Sequence, residues 1–594
     1  MKISNGCWTC RLRRKRCDEA HPACANCASL RITCHYGQRK PEWLDGGEQE
    51  RRMMEQLKQE IKGKRSRRSE SHPGEARNAS GANQGDPAEE PRSPTPQSSN
   101  ACAMLDRTHD GVLPASHGSL EISSACPARP RVLSECTLVR EHTCLSPPLE
   151  QSETVLVMFF LEQVFSSLFP FYRPSVFQGG KAWILELVIK SPVIKQAVLC
   201  QSSYLFLLMQ KTERHDSTWE TVTTQMHHAF QMLRQALQVL AGAKIADHLH
   251  GAVRVLASII QLQRFEVAVP HPENGRTHLN AAAALFTQIL GSPGIPDPSN
   301  ARSSFRLVME RLTPSAPVTP VATLVQSPSA EQTAFCFSSS ILLVDDIVSS
   351  TMSQEEPTLF AYHNSLLKDD DSAGSSISLA QVVGSQNWAF LYIGEIATLD
   401  AWKQRCRVAG SLDAIELVAR ATSIMNALKL RLTKLENDTG NNRSEGTLSQ
   451  GVSANGRKQS VTSYKQSHTI TRIWGHAALV YLHAVVSGLQ PASGDVRHHV
   501  GCVVELLTLQ LEEDPSLLRA FLWPFIVTGC LAELMYEARL RRMVELQQES
   551  DLFGKAQKAL SIMENVWCSR ELGSAAYPDL AACFRSHGEM YFGI

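Results

Sequence analysis

The chain has 594 residues, 43% hydrophobic and 20% charged, and its 59 Lys and Arg balance 59 Asp and Glu, so a sizeable core can be buried in more than one domain. The zero net charge hides an asymmetry: residues 1–68 carry 17 Lys and Arg against 8 Asp and Glu, and the remainder carries 42 against 51, which points to a polyanion partner for a basic N-terminal arm. The N-terminus runs into cysteines and arginines without an apolar leader, and no uninterrupted apolar run approaches the length of a bilayer span, so an intracellular chain with no membrane partner is expected.

Residues 7–34 read CWTCRLRRKRCDEAHPACANCASLRITC and hold six of the chain's 17 cysteines. The spacing is C-x2-C-x6-C-x6-C-x2-C-x6-C, so the second half repeats the first. Between Cys10 and Cys17 lie Arg11, Arg13, Arg14, Lys15 and Arg16, interrupted only by Leu12. Residues 41–62 (PEWLDGGEQERRMMEQLKQEIK) read as helical from about Glu48, with Met54, Leu57 and Ile61 at a 3,4 spacing. The pattern lasts under two heptads, so a short helix prolonging the cysteine module is expected rather than a dimer seam, and monomer and homodimer stay open. Lys62–Arg68 (KGKRSRR) is a second basic run, of a kind that directs nuclear import or contacts phosphates.

Residues 69–150 are rich in Ser, Pro, Gly and Asn with few aromatics, and read as a disordered linker. From Ser152 helix-period apolar segments take over. Expected helices are Trp183–Lys190, Pro192–Lys211, Trp219–Gly242, Ile245–Gln263 and Thr277–Leu290, then a Pro/Ser-rich loop over 291–332. Ala334–Met352, Trp388–Arg405, Leu412–Leu435, Ile470–Gly488, Val496–Leu511, Leu517–Leu540 and Leu552–Cys568 follow, with a disordered insertion at about 438–460. No strand alternation is evident, so residues 151–594 are expected to form one large all-α multi-helix domain.

The cysteine spacing carries the chemistry. A Cys-x2-Cys pair places two thiolates on one zinc ion. Six thiolates serve two tetrahedral zincs only if two of them bridge. A module this small has little core, so metal must supply most of its folding free energy. A six-cysteine disulfide knot has 15 pairings but conflicts with the missing leader and the odd leftover cysteines. A redox dithiol leaves four cysteines without a role. A zinc site serving only protein contact is the best rival, and the five basic residues inside the first half-site argue against it.

The stretch resembles the fungal binuclear zinc cluster transcription factors, whose pattern is Cys-x2-Cys-Arg-x-Arg/Lys-Lys/Arg-x-Lys/Arg-Cys-Asp, a loop with Pro before the fourth Cys, then Cys-x2-Cys-x6-Cys. Arg11, Arg13, Arg14, Arg16, Asp18 and Pro22 stand at the matching places. The resemblance implies a module of two short helices around two zinc ions. Cys7 and Cys24 would bridge, one ion taking Cys7, Cys10, Cys17 and Cys24, the other Cys7, Cys24, Cys27 and Cys34. It also implies that the first helix enters the major groove of double-stranded DNA and reads a CGG triplet. Arg13 and Arg14 match the base-contacting pair, and Arg14 stands where the family often has Lys. Arg11, Lys15 and Arg16 are assigned to phosphates, which position the module and make binding salt-dependent.

WPFIVTGCLAE (523–533), IWGHAALVYLHAVVSGLQP (473–491) and FPFYRPSVFQGGKAW (169–183) are similar to the fungal-specific regulatory domain found behind many such clusters. YGQRKPEWLDGGEQE (36–50) is similar to the tail of the acriflavine-sensitivity control branch. These resemblances imply a nuclear, sequence-specific regulator of RNA polymerase II genes. Its organisation would be a DNA reader at 1–40, a short helix and basic tail at 41–68, a linker at 69–150 and a helical domain at 151–594 that answers co-regulators or a small-molecule effector. The alternative from another class is a helical scaffold whose zinc module binds partners or RNA.

No G-x-S-x-G elbow, phosphate loop or H-E-x-x-H occurs, so no enzyme is expected. Asp345-Asp346 is expected to cap or to make a buried polar contact rather than to bind a cation. The adjacent pairs His227-His228 and His498-His499 point to different helix faces and suit a shared metal poorly. Trp388, Trp402, Trp474 and Trp523 are expected in the core.

Overall fold

The structure, a computed structural model, describes residues 7–13, 17–18, 24–30, 32–35, 41, 53–54, 57, 149–175, 179–209, 216–266, 275–292, 300–313, 328–368, 376–441, 454–547, 554–572 and 577–585. Arg14, Lys15, Arg16, the basic run at 62–68, the linker over 69–148 and the centre of the expected insertion, 442–453, lie outside the described residues. The chain divides into two compact units, Met1–Ser124 and Ala125–Ile594. Both are helical, and no strand occurs among the described residues.

Among the described residues the first unit has the one-turn helices α1 (Trp8–Leu12) and α2 (Ala25–Ser29), with further helical residues at Met53, Met54 and Leu57. Leu12, Ile32 and Leu57 are buried among the sulfurs, with Leu30, Met53 and Met54 packed beside them. Two of the three residues of the 3,4 pattern, Met54 and Leu57, are thus used inside the module, in line with a helix that prolongs it.

The second unit opens with α3 (Gln151–Phe159), one π-helical turn (Phe160–Val164) and α4 (Phe165–Leu168). There follow α5 (Ala182–Lys190), α6 (Pro192–Met209), α7 (Asp216–Ala241), α8 (Leu249–Glu266) and α9 (Gly275–Gly291). Next come α10 (Ala301–Arg311), α11 (Ala330–Ser353), α12 (Phe360–Leu367), α13 (Leu379–Val382), α14 (Asn387–Val408) and α15 (Ala414–Asn441). The last six are α16 (Ala454–Ser487), α17 (Gly494–Glu513), α18 (Leu522–Cys530), α19 (Leu534–Glu545), α20 (Lys555–Glu571) and α21 (Leu580–Arg585).

Helix α11 is the centre. Its start is set by a capping box: Gln332 N donates to Ser329 Oγ at 3.0 Å, and Ser329 N donates to Gln332 Oε1 at 2.8 Å. It ends at Gln354, in the left-handed region at φ 56°. Between these points the helix is apolar nearly all round, and α5, α8, α9, α13, α14 and α21 enclose it. It and α6 are long and apolar enough to cross a membrane, but 83% of the α11 window is buried inside the protein, as in a core helix. The acidic pair on α11 is structural. Arg264 on α8 donates to both carboxylate oxygens of Asp345, at 2.9 and 2.8 Å. Asp346 accepts the backbone N–H groups of Thr358 and Leu359 and so holds the turn before α12.

Three of the four tryptophans expected in the core lie there, and Trp402 sits at its edge. Trp474 and Trp523 stack at 5.5 Å, and Trp523 Nε1 donates to Thr351 Oγ1, which ties α18 to α11. Trp388 is buried on α14, while Trp402 is half-buried beneath the Arg420 guanidinium.

Four expectations need correction. The loop at 291–332 contains α10, because Phe305, Val308 and Leu312 recur at helical spacing and are buried despite the flanking Pro and Ser. The single helix expected over Leu517–Leu540 is a 3-10 turn, α18 and α19. Trp567 Nε1 takes the carbonyl of Gly529, and Arg570 takes those of Cys530 and Ala532, so the last carbonyls of α18 are satisfied by α20 instead of by a continuing helix. Glycine at 529 is required there, since a Cβ would strike Met563. The expected insertion at 438–460 is narrower, because α15 runs to Asn441 and α16 begins at Ala454. On α7 the 3,4 spacing of Met226, Ala229, Phe230, Leu233, Leu237 and Leu240 predicts one buried stripe, but the buried face is Val222, Ala229, Met232, Leu233, Ala236 and Leu240, with Met226, Phe230 and Leu237 only half-buried.

Candidate metal centre and nucleic-acid interface

The six cysteines converge. Cys7, Cys10, Cys17 and Cys24 have their sulfurs all within 4.8 Å of one another, and so do Cys7, Cys24, Cys27 and Cys34. The two sets share Cys7 and Cys24. Sulfur separations are 3.8 Å for Cys7–Cys24 and Cys7–Cys27, 3.5 Å for Cys10–Cys24 and 3.9 Å for Cys10–Cys27. A tetrahedral zinc with Zn–S bonds of ~2.3 Å spaces its sulfurs by about 3.8 Å, so the donor set fits zinc.

Local geometry repeats as the sequence does. Cys7 N donates to Cys17 Sγ and Cys24 N to Cys34 Sγ, both at 3.4 Å, and these are equivalent positions ten residues apart in the two halves. Helix α2 is capped from a distance, because Ala25 N donates to both carboxylate oxygens of Asp18, at 3.0 and 3.1 Å. The halves are laced by Thr9 Oγ1, which donates to Thr33 O at 2.8 Å and accepts from His35 N at 3.0 Å. Trp8 N donates to His35 O at 2.8 Å.

Burial pushes the Cys7, Cys10 and Cys27 thiols up. Burial at Cys24 is outweighed by hydrogen bonds from the Cys27 backbone and neighbouring thiols, which bring it down to about 6. The raised Cys7, Cys10 and Cys27 thiols hold their protons unless cations replace them, and a coordinating divalent metal deprotonates a thiol outright.

Of the five basic residues expected at DNA, Arg11 lies on α1 and Arg13 in the turn that ends it, where its N–H continues the helical ladder to Thr9 O. One guanidinium nitrogen of Arg13, Nη1, has no hydrogen-bond partner among the described residues. Sequence reasoning gave Asp18 only as a matched position; its capping of α2 came with the structure.

Residues 5–43 match the fungal Zn(2)-Cys(6) binuclear cluster domain, and residues 155–586 match the fungal specific transcription factor domain. The chain therefore belongs to the fungal binuclear zinc cluster transcription factors that carry this helical domain. It is a sequence-specific DNA-binding transcription factor, and its cysteine module takes two zinc ions. Among its relatives is transcription factor dibT of Pestalotiopsis microspora, 32% identical over 96% of both chains. Pestheic acid cluster transcriptional regulator 3 of Pestalotiopsis fici is 27% identical over 96% of this chain and 95% of its own. The ustiloxin B cluster transcription factor ustR of Aspergillus flavus is 27% identical over 89% and 87%. No solved structure matches. These matches do not favour the scaffold alternative, and they carry the family without the acriflavine-sensitivity branch.

Proposed function

We propose that this factor reads CGG-type half-sites through Arg13 and Arg14 and holds the phosphate backbone with Arg11, Lys15 and Arg16. One zinc is assigned to Cys7, Cys10, Cys17 and Cys24, the other to Cys7, Cys24, Cys27 and Cys34. The observation that carries this reading is the pair of sulfur sets sharing Cys7 and Cys24, directly beside the helix from which the basic run departs. An arginine that donates bidentately to guanine O6 and N7 discriminates by about 1–3 kcal/mol. The protein acts in the nucleus, and the body from residue 151 regulates rather than catalyses. The relatives' names supply the pathway class: as their pestheic acid and ustiloxin B clusters suggest, the targets are genes of a biosynthetic cluster.

The test compares a labelled CGG duplex with a scrambled one at physiological salt. The chain should prefer CGG. Arg13→Ala and Arg14→Ala should each remove about 10- to 100-fold of that preference while native mass spectrometry still counts two zincs. Equal affinity for both duplexes would refute the base-reading assignment.

A further inference from the structure

The seam between α16 and α17 gathers four histidines that the zinc module does not use. His476 and His483 come from α16, His498 and His499 from α17. His476 and His499 are 5% and 6% exposed, and their Nδ1 atoms face each other at 3.2 Å. The remaining nitrogen of His476, Nε2, is buried with no hydrogen-bond partner among the described residues. His498 is exposed, and its Nε2 lies 3.8 Å from Cys502 Sγ, one turn further along α17.

The His476–His499 separation is that of two ligands around one ion. Two imidazole nitrogens on a tetrahedral centre with bonds of ~2.0–2.1 Å stand about 3.3 Å apart, and their ring centres about 5 Å apart. A nitrogen and a thiolate on the same centre stand about 3.6 Å apart. The His476–His499 rings are 5.3 Å apart, His498–His499 5.0 Å and His476–His498 6.4 Å. The buried pair already has the spacing of one edge of the tetrahedron, and the proposed site is completed when the exposed His498 and the half-buried Cys502 turn toward it. Behind His499 the His483 ring is stacked at 6.3 Å, and its Nε2 is 3.8 Å from Asp495, a carboxylate–histidine arrangement that suits an outer shell. The nearby cations are already engaged, Lys429 with Asp495 and Arg472 with Glu436.

We propose that the α16–α17 seam is a third metal site, taking a late first-row divalent cation of the zinc type through His476, His499, His498 and Cys502. Neighbouring histidines on one helix diverge, which hides such a site from the sequence; the second helix supplies the convergence. Three nitrogens and one thiolate suit zinc over magnesium or calcium, which prefer oxygen. A site exposed on one side and buried on the other lets the ion enter from solvent and bind two helices together. The regulatory body then senses metal independently of the DNA reader.

The test titrates the full-length chain, carrying its two cluster zincs, with buffered free Zn²⁺ and counts bound ions by native mass spectrometry. A third zinc should bind, Mg²⁺ should not replace it, and the thermal transition of the helical body should rise. The double variant His498→Ala, Cys502→Ser changes only partly exposed side chains and should weaken the third ion by at least about tenfold with helicity and the two cluster zincs intact. His476→Ala should abolish it. A chain that stops at two zincs in high micromolar free metal overturns the proposal. So does a third zinc that survives both variants.

Discussion

In the cysteine module the only buried apolar side chains besides the sulfurs, among the described residues, are Leu12, Ile32 and Leu57. In the helical body, α11 alone buries Phe335, Phe337, Ile341, Leu342, Leu343, Val344, Ile347 and Val348. The same solvent thus acts on two regions with very different means of resisting it. A few apolar contacts stabilise by only a few kcal/mol, at about 1.5–3 kcal/mol for each fully buried large side chain, and that is small against the entropy of ordering the module. Structural zinc contributes on the order of 10–16 kcal/mol, enough to hold a module without a core. The body needs no such staple, because its large apolar interior supplies the stabilisation.

The contrast is largest at buried cysteines. Cys24 and Cys200 are both fully buried. Cys24→Ser removes a sulfur common to both sets and should abolish zinc retention and DNA binding. Cys200→Ser on α6 should leave both intact and cost the body about 1–3 kcal/mol for an added buried hydroxyl, measured by urea unfolding. Next in size is Asp345→Ala, which strands the Arg264 guanidinium inside the body. It should cost roughly 3–5 kcal/mol of body stability, with the zinc count still two.

Asp400 supplies a pH dependence confined to the body. Burial, only partly offset by Lys403, pushes its carboxyl up to about 6, and Asp579 adds to the rise. Gln354 and Tyr481 donate to it at 3.5 and 3.3 Å. A raised carboxyl pKa favours the neutral form in the folded state. Its contribution is therefore fully present below about pH 4 and is lost as pH rises through about 6. Asp400→Asn should match the parent near pH 4 and exceed it by about 1–3 kcal/mol at pH 7.5, read by denaturant unfolding across that range. Smallest is Asp18→Ala, which uncaps α2. It should weaken zinc binding by roughly fivefold, about 1 kcal/mol, in a competition titration with a chelator, and leave the unfolding of the body unmoved.

The two regions also differ in how far their sequences can be read. The cysteine module is legible because coordination chemistry fixes ligand type, number and spacing within 28 residues, so the count foretells two zincs sharing two sulfurs, and the family resemblance names the two sets. Helix existence in the body is legible from local periodicity: Leu279, Ala282, Ala283, Phe286 and Leu290 recur three and four apart on α9, and all are buried. What periodicity omits is the partner. The Arg264–Asp345 pair joins α8 to α11 across 81 residues, and the capture of the α18 carbonyls by Trp567 and Arg570 depends on a helix some 40 residues on. Both the break after Cys530 and the meeting of His476 with His499 arise from such long-range packing.

The central claim is that metal holds the reader and a hydrophobic core holds the body. Amide hydrogen exchange on the full-length chain, with and without a strong chelator, tests it on one sample. Peptides spanning Cys7–His35 should lose their protection when zinc is withdrawn, while those spanning Ala330–Ser353 keep theirs. Protection that persists at Cys7–His35 without metal, or that collapses at Ala330–Ser353 together with it, would contradict the account.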